Sequence, residues 1–350
     1  MSVVSSYTLR EGSRREADSG AIDRLQVFVN GLLELLEKYR IESEFIMVEW
    51  NSTPASKPLT RFIKWPTNLR FCTVRVIRVP DHICKKWNKF HVKVPFHVPK
   101  AWNCGIRRAR GKFILPAPVD LLYSDELIAY IGSKKLDPNT ITRVDRCDVD
   151  RGVLDYNSLE EQLAFCEKNI IFRGVYKPIK YRNIQPKLHV FNSGDFLLMS
   201  KINWFLLRGY WEYLPYGMHI DSLLCYCAYA AGVKEVRLDD PMRIHHIHHE
   251  RSFSRVKWPQ LEWATKLVNN PLVPRIIGTK IGLLYYQILQ KLDGVPTFFS
   301  TQWMDLAIDI VAGRKSYTFN DEDWGIGKEN LEETLVSKSS WEKAQVNGKK

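Results

Sequence analysis

The sequence predicts an α/β protein built on a parallel sheet. Three stretches carry this prediction: a strand–loop–helix–strand pattern over residues 3–49, an alternating strand at 71–79, and an apolar strand at 112–115 that stops shortly before Asp120. A strand–helix–strand opening implies parallel strands joined by a right-handed crossover. Ligands of open α/β sheets bind at the carboxyl ends of the strands, so residues 103–126 are the expected centre of a site.

The opening unit can be read from its hydrophobic periodicity. Residues 3–9 are β-prone, and residues 22–39 place their leucines, Phe28 and Val29 at helical spacing. The segment EFIMVE at 44–49 is a continuous apolar strand that ends in an acid, Glu49, before a polar break.

The other elements follow from hydrophobic periodicity and from the residues that begin or end helices and strands. Strands are predicted at 71–79, 111–115, 141–149, 189–199 (broken at 193–194), 233–238 and 242–249, the last as strand or loop. Helices are predicted at 103–110, 123–131, 158–168, 219–231, 281–292 and 303–312. Residues 170–187 look like a ligand-covering loop. We expect one domain at 1–257, a helical extension packed on it at 258–336, and a flexible basic tail at 337–350.

Composition indicates a soluble globular protein. Of the 350 residues, 45% are hydrophobic and 26% are charged, which leaves ample material for a core. The seven cysteines lack CxxC spacing, so we expect reduced thiols in a cytoplasmic protein. The sequence begins without a signal peptide and has no apolar run that could span a membrane.

The net charge of +12 suits an anionic partner without specifying it. Nucleic-acid-binding proteins usually concentrate basic residues on one element, whereas here they are spread along the chain. A nucleotide or phosphate ligand is therefore favoured over nucleic acid, and peripheral contact with an anionic membrane is left open.

Five segments occur in an order that resembles the family 2 glycosyltransferases of the GT-A fold. They are EFIMVEWN, NCGIRRARGKFILPAPVD, FNSGDFLLMS with the later RGYWE, HIDSLLCYCAYAAG, and IHHIHHE, and together they cover roughly residues 1–250. The resemblance implies a GT-A-like mixed, mostly parallel central sheet flanked by helices, with a helical C-terminal extension. It also implies transfer of a sugar from a nucleotide-diphosphate sugar to an acceptor hydroxyl, by an inverting single displacement.

The resemblance assigns the donor site residue by residue. Glu49 stands where the family contacts the nucleoside, and Asn103 and Arg107 lie on the helix expected beside the donor. Asp120 matches the second acid of the family's Asp-x-Asp motif, but Pro118 replaces the first. Glu49 could also be a solvated strand-end acid, Arg107 part of a solvated helix face, and Asp120 a turn former.

A divalent metal, Mn²⁺ or Mg²⁺, is expected on the donor diphosphate. The resemblance gives Asp120 and His246 as its ligands, with His249 as a second histidine candidate. The alternative is that the histidines of this run are only buried or solvated.

The acceptor side is expected around the second half of the matched region. Asp221 is the candidate catalytic base, a role compatible with capping the helix that it begins. Asp195 could orient the acceptor or cap a turn, and Trp211 with Glu212 could form a platform for a saccharide or glycoconjugate acceptor. Core packing is the alternative for Trp211. Two rival functions stay open: an inactive sugar-nucleotide-binding or scaffold relative, favoured by the missing first acid, and a basic nucleic-acid-binding protein.

Overall fold

The computed structural model describes residues 1–8, 20–176, 184–215, 219–249, 288, 294–298 and 301–340. Its central sheet has eight strands, in the order β10 (Lys234–Arg237), β6 (Thr140–Arg143), β9 (Leu198–Ser200), β4 (Phe113–Pro116), β1 (Ser2–Tyr7), β2 (Ser43–Ser52), β3 (Cys72–Pro80) and β12 (Glu332–Ser337). Only β9 and β12 pair antiparallel to their neighbours. The sheet is therefore mixed and mostly parallel, which confirms the predicted fold class.

A second sheet of four strands stands beside the central one. Its order is β5 (Leu121–Tyr123), β11 (Arg243–Ile247), β7 (Asp145–Val149) and β8 (Ile170–Gly174), with β11 and β7 parallel. The chain passes from the central sheet to this small sheet three times, after β4, after β6 and after β10.

Helices cover both faces of the central sheet. One face packs against α1 (Ala21–Lys38), α4 (Asp125–Gly132), α5 (Leu159–Lys168) and the small sheet; the other packs against α2 (Asp81–Trp87), α3 (Val98–Arg108), α6 (Lys201–Leu207), α7 (Ile220–Ala230) and α8 (Gln302–Val311). Neighbouring strand residues point to opposite faces, so Val3 enters the first core and Val4 the second. Both faces are buried, which explains why these strands are continuous apolar runs.

Local capping explains why the predicted helices begin where they do. The Ser124 hydroxyl accepts from the Leu127 amide at the start of α4. At α5, Ser158 and Glu161 form a reciprocal capping box. These signals could be read directly from the sequence, and both helices lie where it placed them.

Several predicted elements have the wrong extent. The strand expected at 189–199 is limited to β9, and the helix expected at 103–110 begins earlier and ends earlier, as α3. The strand expected at 141–149 is two strands, β6 and β7, which belong to different sheets and are separated by the buried Val144. The expected loop at 170–187 begins with the strand β8, while residues 177–183 lie outside the described residues. Alternation predicts strands well, but it does not indicate where a chain changes sheets.

The described part of the C-terminal region contains one helix and one strand, and residues 341–350 of the predicted tail lie outside the described residues. The helix at 303–312 is confirmed as α8, but residues 332–337 form β12 on the edge of the central sheet. The predicted helix at 281–292 falls on residues of which only 288 is described. All seven cysteines are buried and free. Within the described ranges, no helix has the length and hydrophobicity needed to cross a bilayer.

A buried ion pair fastens three strands of the central sheet. Arg75 on β3 donates to Glu44 on β2 over 2.7 Å and to Glu333 on β12 over 2.6 Å. Glu44 also accepts from the Ser2 hydroxyl and from the Arg110 amide. Burial works to raise the pKa of Glu44, but Arg75 and these hydrogen bonds outweigh it and hold the pKa below its usual value.

Replacing Arg75 should therefore destabilise the fold strongly. Arg75→Ala leaves the Glu44 carboxylate, whose side chain is only 8% exposed, without its cation. We expect the free energy of unfolding in urea to fall by about 3–5 kcal/mol, as for other broken buried pairs. Glu333→Gln is the matched control, because Glu333 is partly exposed and its loss leaves the Arg75–Glu44 pair intact; its cost should be below about 1 kcal/mol. Equal losses in the two variants would contradict this account.

Candidate functional site

The strand order reverses between β1 and β4. From β1 the chain builds outward to β2 and β3 on one side, and β4 is added on the other side. Such a switch point leaves a crevice outside the carboxyl ends of the two strands, where open α/β sheets bind ligands. Beyond β4, the Ala117 amide donates to the Val4 carbonyl and the Ser5 hydroxyl donates to the Ala117 carbonyl. The segment leading to Asp120 is therefore held at this crevice.

Asp120, His246 and His249 lie together at the end of this segment. Asp120 Oδ2 is 3.1 Å from His249 Nε2 and 3.7 Å from His246 Nε2. One potential ligand atom from each residue lies within 4.8 Å of the other two, and all three side chains are partly exposed. Pairing of β11 with β5 brings the histidines here, since His246 is opposite Leu121 and the Ile247 amide donates to the Asp120 carbonyl. The structure thus brings together the three residues predicted as metal ligands, a donor set that fits a divalent cation.

Asp148 on β7 stands behind His246. Its Oδ1 is 3.2 Å from His246 Nδ1 and 2.6 Å from Arg146 Nη2. Burial works to raise the pKa of Asp148, but pairing with His246 and Arg146 outweighs it and lowers the pKa to about 2. A carboxylate beside Nδ1 keeps the proton on that nitrogen and leaves Nε2 to act as a ligand.

Arg146 connects this cluster to the acceptor-side residues. Its Nη1 donates to Asp195 Oδ2 over 2.5 Å, while its other nitrogens bind Asp148. Asp195 ends a short turn that begins at Ser193, and the carbonyl of Ser193 accepts from the fully buried Arg143. A single chain of charged contacts therefore runs from the histidines to this turn.

Asp221 lies in the first turn of α7 and also binds the short turn that begins at Ser193. Its Oδ2 accepts from the Ser193 hydroxyl at 2.8 Å and from the Gly194 amide at 2.6 Å. A side chain at position 194 would meet this carboxylate at 3.1 Å, so glycine allows the close approach. The helix-capping alternative fits only in part, because the carboxylate binds a neighbouring turn and not an amide of its own helix.

Two buried tyrosines lie among these carboxylates. Burial, followed by Asp195 and Asp120, raises the pKa of Tyr123. The pKa of Tyr210 is also raised, by burial first and then by charges that include Asp221 and Asp195. Asp195 is thus within electrostatic range of both phenols.

Glu49 and Asn103 have structural partners. The Glu49 side chain is only 2% exposed; its Oε2 accepts from the Leu59 amide and its Oε1 lies 3.4 Å from Arg78. Asn103 is fully buried, donates to the Tyr210 carbonyl and to Glu212, and accepts from the Tyr210 amide. Both side chains are bound within the protein. A role in binding the donor stays a prediction for Glu49. Asn103 could contact a donor only if its present hydrogen bonds were broken.

Arg107 and Glu212 also serve the fold. Arg107 donates to the Glu322 and Trp324 carbonyls and stacks its guanidinium over the Trp324 ring. Glu212 accepts from Asn103, from Lys100 and from the Gly325 amide. The structure places Arg107 on the Trp/Gly turn at 320–327 and Glu212 between Asn103, Lys100 and that turn, so a role toward the donor phosphate or the acceptor stays a prediction for both.

Trp211 borders an open cavity of about 340 Å³. The indole stacks on Phe319 at 4.4 Å and on Tyr213 at 5.8 Å between ring centroids. The cavity is lined by the aromatic residues Trp87, Phe90, Trp211, Tyr213 and Phe319 and by the charged residues Lys86, Lys89, Lys100, Glu212, Asp321 and Asp323. The wall of this cavity lies at the carboxyl ends of the strands, as Asp120 does. The loop before α3 reaches this end of the sheet because it bonds to Trp50 and Asn51 of β2.

Sequence reasoning missed Arg143, Arg146 and Asp148. The signal was present, since Arg146 and Asp148 are two residues apart on one strand and must share a face. Interpreting 141–149 as one strand with a charged face hid their different surroundings.

No protein-family model and no curated protein matches the chain. Among solved structures, S. aureus TarS is similar at 12% identity and a TM-score of 0.42, over 86% of this chain and 44% of TarS. The chain therefore spans less than half of that protein. The catalytic domain of Drosophila β1,4-galactosyltransferase 7, solved with xylobiose, matches at 13% identity and a TM-score of 0.35, over 71% of each chain. GalNAc-T7, solved with UDP, GalNAc and Mn²⁺, matches at 12% identity and a TM-score of 0.40, over 89% of this chain and 58% of that one. These likenesses concern the fold alone.

Asp148→Asn tests whether the carboxylate behind His246 tunes a metal site. Loss of its charge frees the His246 tautomer, and we expect the affinity for Mn²⁺ to fall by roughly 10–100-fold, as for other carboxylates behind ligating histidines. The measurement is titration calorimetry with MnCl₂. Asp150→Asn is the matched control, since Asp150 accepts from the Gly152 amide just beyond the same strand and is no part of the cluster; this variant should bind Mn²⁺ like the wild type. Unchanged affinity in Asp148→Asn would remove Asp148 from the site.

Proposed function

We propose that the protein is a nucleotide-sugar-dependent glycosyltransferase. The observation that carries the proposal is the Asp120–His246–His249 cluster at the β1/β4 switch point, joined through Asp148, Arg146 and Asp195 to Asp221. A cation-binding cluster linked to a separate carboxylate suits a reaction with two needs: the cation stabilises a leaving diphosphate, and the carboxylate takes a proton from an acceptor hydroxyl.

Asp120, His246 and His249 would hold the divalent cation. A cation there supplies charge that neutralises the donor diphosphate as it leaves. Magnesium prefers an all-oxygen shell, whereas two imidazoles suit a transition metal, so the donor set favours Mn²⁺ over Mg²⁺. The histidines thereby compensate for Pro118, which stands where the resembled family has another acid.

Asp221 would act as the catalytic base. Within the described part of the chain, its Oδ2 accepts two hydrogen bonds and its Oδ1 accepts none. Oδ1 is therefore the atom that would take the proton from an acceptor hydroxyl. A single displacement with inversion needs one such base on the face opposite the leaving group, and Asp221 belongs to an element separate from the metal ligands.

The acceptor would be a saccharide or glycoconjugate that extends toward the Trp211 cavity. Segment 210–213 begins at Tyr210, whose phenol is within electrostatic range of Asp221, and continues into the aromatic wall of that cavity. Aromatic rings beside amide and charged groups suit the apolar faces and hydroxyls of a sugar. Asp195, bound to Arg146, would position the turn that faces the acceptor.

A catalytically inactive sugar-nucleotide-binding protein is the second candidate. Pro118 in place of an acid favours it, since one carboxylate holds a cation less firmly than two. Binding of a donor without its hydrolysis or transfer would identify this alternative. A nucleic-acid-binding role has less support, because Arg75, Arg107, Arg108 and Arg146 are bound to protein acceptors.

A thermal-shift screen tests the proposal directly. We expect one of UDP-glucose, UDP-galactose, UDP-N-acetylglucosamine and GDP-mannose to raise the melting temperature, more strongly with MnCl₂, because a ligand of the native state stabilises it. In Asp120→Asn the Mn²⁺-dependent part of the shift should disappear. A melting temperature unchanged by all four donors, with and without Mn²⁺, would overturn the proposed function.

Asp221→Asn tests the base. We expect kcat to fall by roughly 10²–10⁴-fold, because the amide cannot take the proton, while the donor-induced thermal shift is retained. Ser193→Ala is the matched control, since it removes one hydrogen bond from the carboxylate but leaves the carboxylate in place, and it should lose far less activity. Transfer at the wild-type rate in Asp221→Asn would remove Asp221 as the base.

A further inference from the structure

Arg143 is a buried arginine without an acidic partner. It is the last residue of β6, and its side chain is fully buried. Its Nε donates to the His189 carbonyl and its Nη1 to the Ser193 carbonyl, each over 3.1 Å. Within the described ranges it forms no ion pair, whereas the buried Arg75 and Arg243 each bind carboxylates. A guanidinium is costly to bury without a carboxylate, so its role is expected in the backbone that it binds.

The two carbonyls stand at the ends of one short segment. The His189 end has another anchor, because its amide donates to Glu235 over 2.8 Å. The Ser193 carbonyl has one other donor, the Phe196 amide, over a longer 3.4 Å. The guanidinium of Arg143 therefore matters most at Ser193, where the chain enters the turn described above.

The peptide group between Ser193 and Gly194 links Arg143 to Asp221. Its oxygen accepts from Arg143 over 3.1 Å, and its N–H, which belongs to Gly194, donates to Asp221 Oδ2 over 2.6 Å. The carbonyl and the N–H of a planar trans peptide point in opposite directions, so this group lies between the guanidinium and the carboxylate. A cation on the oxygen polarises the peptide and strengthens the hydrogen bond that its N–H donates.

Arg143 and Asp221 also lie near the same side of α7. Burial raises the pKa of the Cys225 thiol to about 12, while Arg143 works to lower this pKa and Glu235 and Asp221 work to raise it. Asp221 and Cys225 are four residues apart on the helix, so their side chains share one face. The guanidinium therefore lies beside this face, where Asp221 and Glu235 balance its charge without pairing with it.

We propose that Arg143 is a positioning residue for the base Asp221. The guanidinium would fix the Ser193–Gly194 peptide in the orientation that holds Oδ2, and so keep Oδ1 available to the acceptor hydroxyl. The inference rests on the proposed function, because only the transfer reaction gives Asp221 a proton to take. Misplacing a reacting group by about 1 Å can cost roughly a hundredfold in rate, so positioning is measurable in kcat.

The alternative is a purely structural role. Arg143 would then only fasten the segment between His189 and Ser193 to the end of β6. Its loss would lower the stability of the fold without acting on the base.

Two variants of the full chain test the proposal. Arg143→Gln removes the charge, and Arg143→Met replaces the cation with an apolar side chain, a change that folded proteins often tolerate at buried charges. The rate is followed as release of UDP or GDP from the nucleotide sugar that gives the largest thermal shift, with water as the acceptor. We expect kcat to fall by roughly 10–100-fold in each variant, while the KM for the donor stays within about twofold of the wild-type value.

Arg237→Lys is the matched control. Arg237 is the register partner of Arg143 on β10, but its side chain is exposed and its guanidinium stacks over the Tyr176 ring at 4.0 Å. This variant should hydrolyse the donor at the wild-type rate, and circular dichroism melting should show that all the variants are folded.

A double variant separates positioning from a purely structural role. Asp221→Asn has no base to position, so adding Arg143→Gln should change its residual rate by less than about twofold. A purely structural role would lower the rate by the same factor in both backgrounds, and that result would overturn the proposal. Wild-type kcat in either single variant of Arg143 would overturn it as well.

Hydrogen exchange reports on the turn without any sugar transfer. A peptide covering residues 189–196 contains the Gly194 amide, whose bond to Asp221 should weaken when Arg143 is replaced. We expect exchange there to become roughly tenfold faster in Arg143→Gln and exchange over α7 to stay unchanged. Unchanged exchange at 189–196 would contradict the proposal. If the wild type hydrolyses the donor and Arg143→Gln keeps the full rate, this inference alone fails; a wild type that binds no donor defeats the proposed function, and this inference with it.

Discussion

The candidate site depends on the carboxylate of Asp148, which His246 and Arg146 share. One partner belongs to the proposed metal cluster, and the other extends to Asp195 and the turn held by Asp221. A partly buried carboxylate between a guanidinium and an imidazole is costly to leave unpaired, so the three groups fix one another's positions. Removing any one of them would change both the proposed metal cluster and the turn held by Asp221, although these lie on different elements.

Much of the fold could be predicted because its signals are local. Apolar runs mark the parallel strands, and Ser124 and Ser158 mark helix starts through contacts three residues away. The candidate ligands Asp120, His246 and His249 were also found from sequence, since a histidine run and a strand-end acid are visible without coordinates. The change of sheet at Val144 and the edge strand β12 have no local signature, because each depends on distant pairing.

The roles of Asn103, Arg107 and Glu212 illustrate the same limit. Each has a residue type suited to a ligand, yet each is bound to a segment more than a hundred positions away, such as Tyr210 for Asn103 and Trp324 for Arg107. Glu212 joins the two by accepting from Asn103 and from the Gly325 amide. A sequence shows which side chains are capable of binding a ligand, but only the packed chain shows which of them are already occupied.

The passages between the sheets have a mechanical consequence. The chain crosses from the central sheet to the small sheet through residues 117–120, through Val144 alone and through residues 238–242. All three passages are short; the first is bonded to β1 through Ala117, and in the third the Leu238 amide donates to the Arg143 carbonyl. The two sheets are therefore expected to move as one rigid frame. Any opening and closing of the crevice would then be carried by the surrounding loops and not by rotation of one sheet against the other.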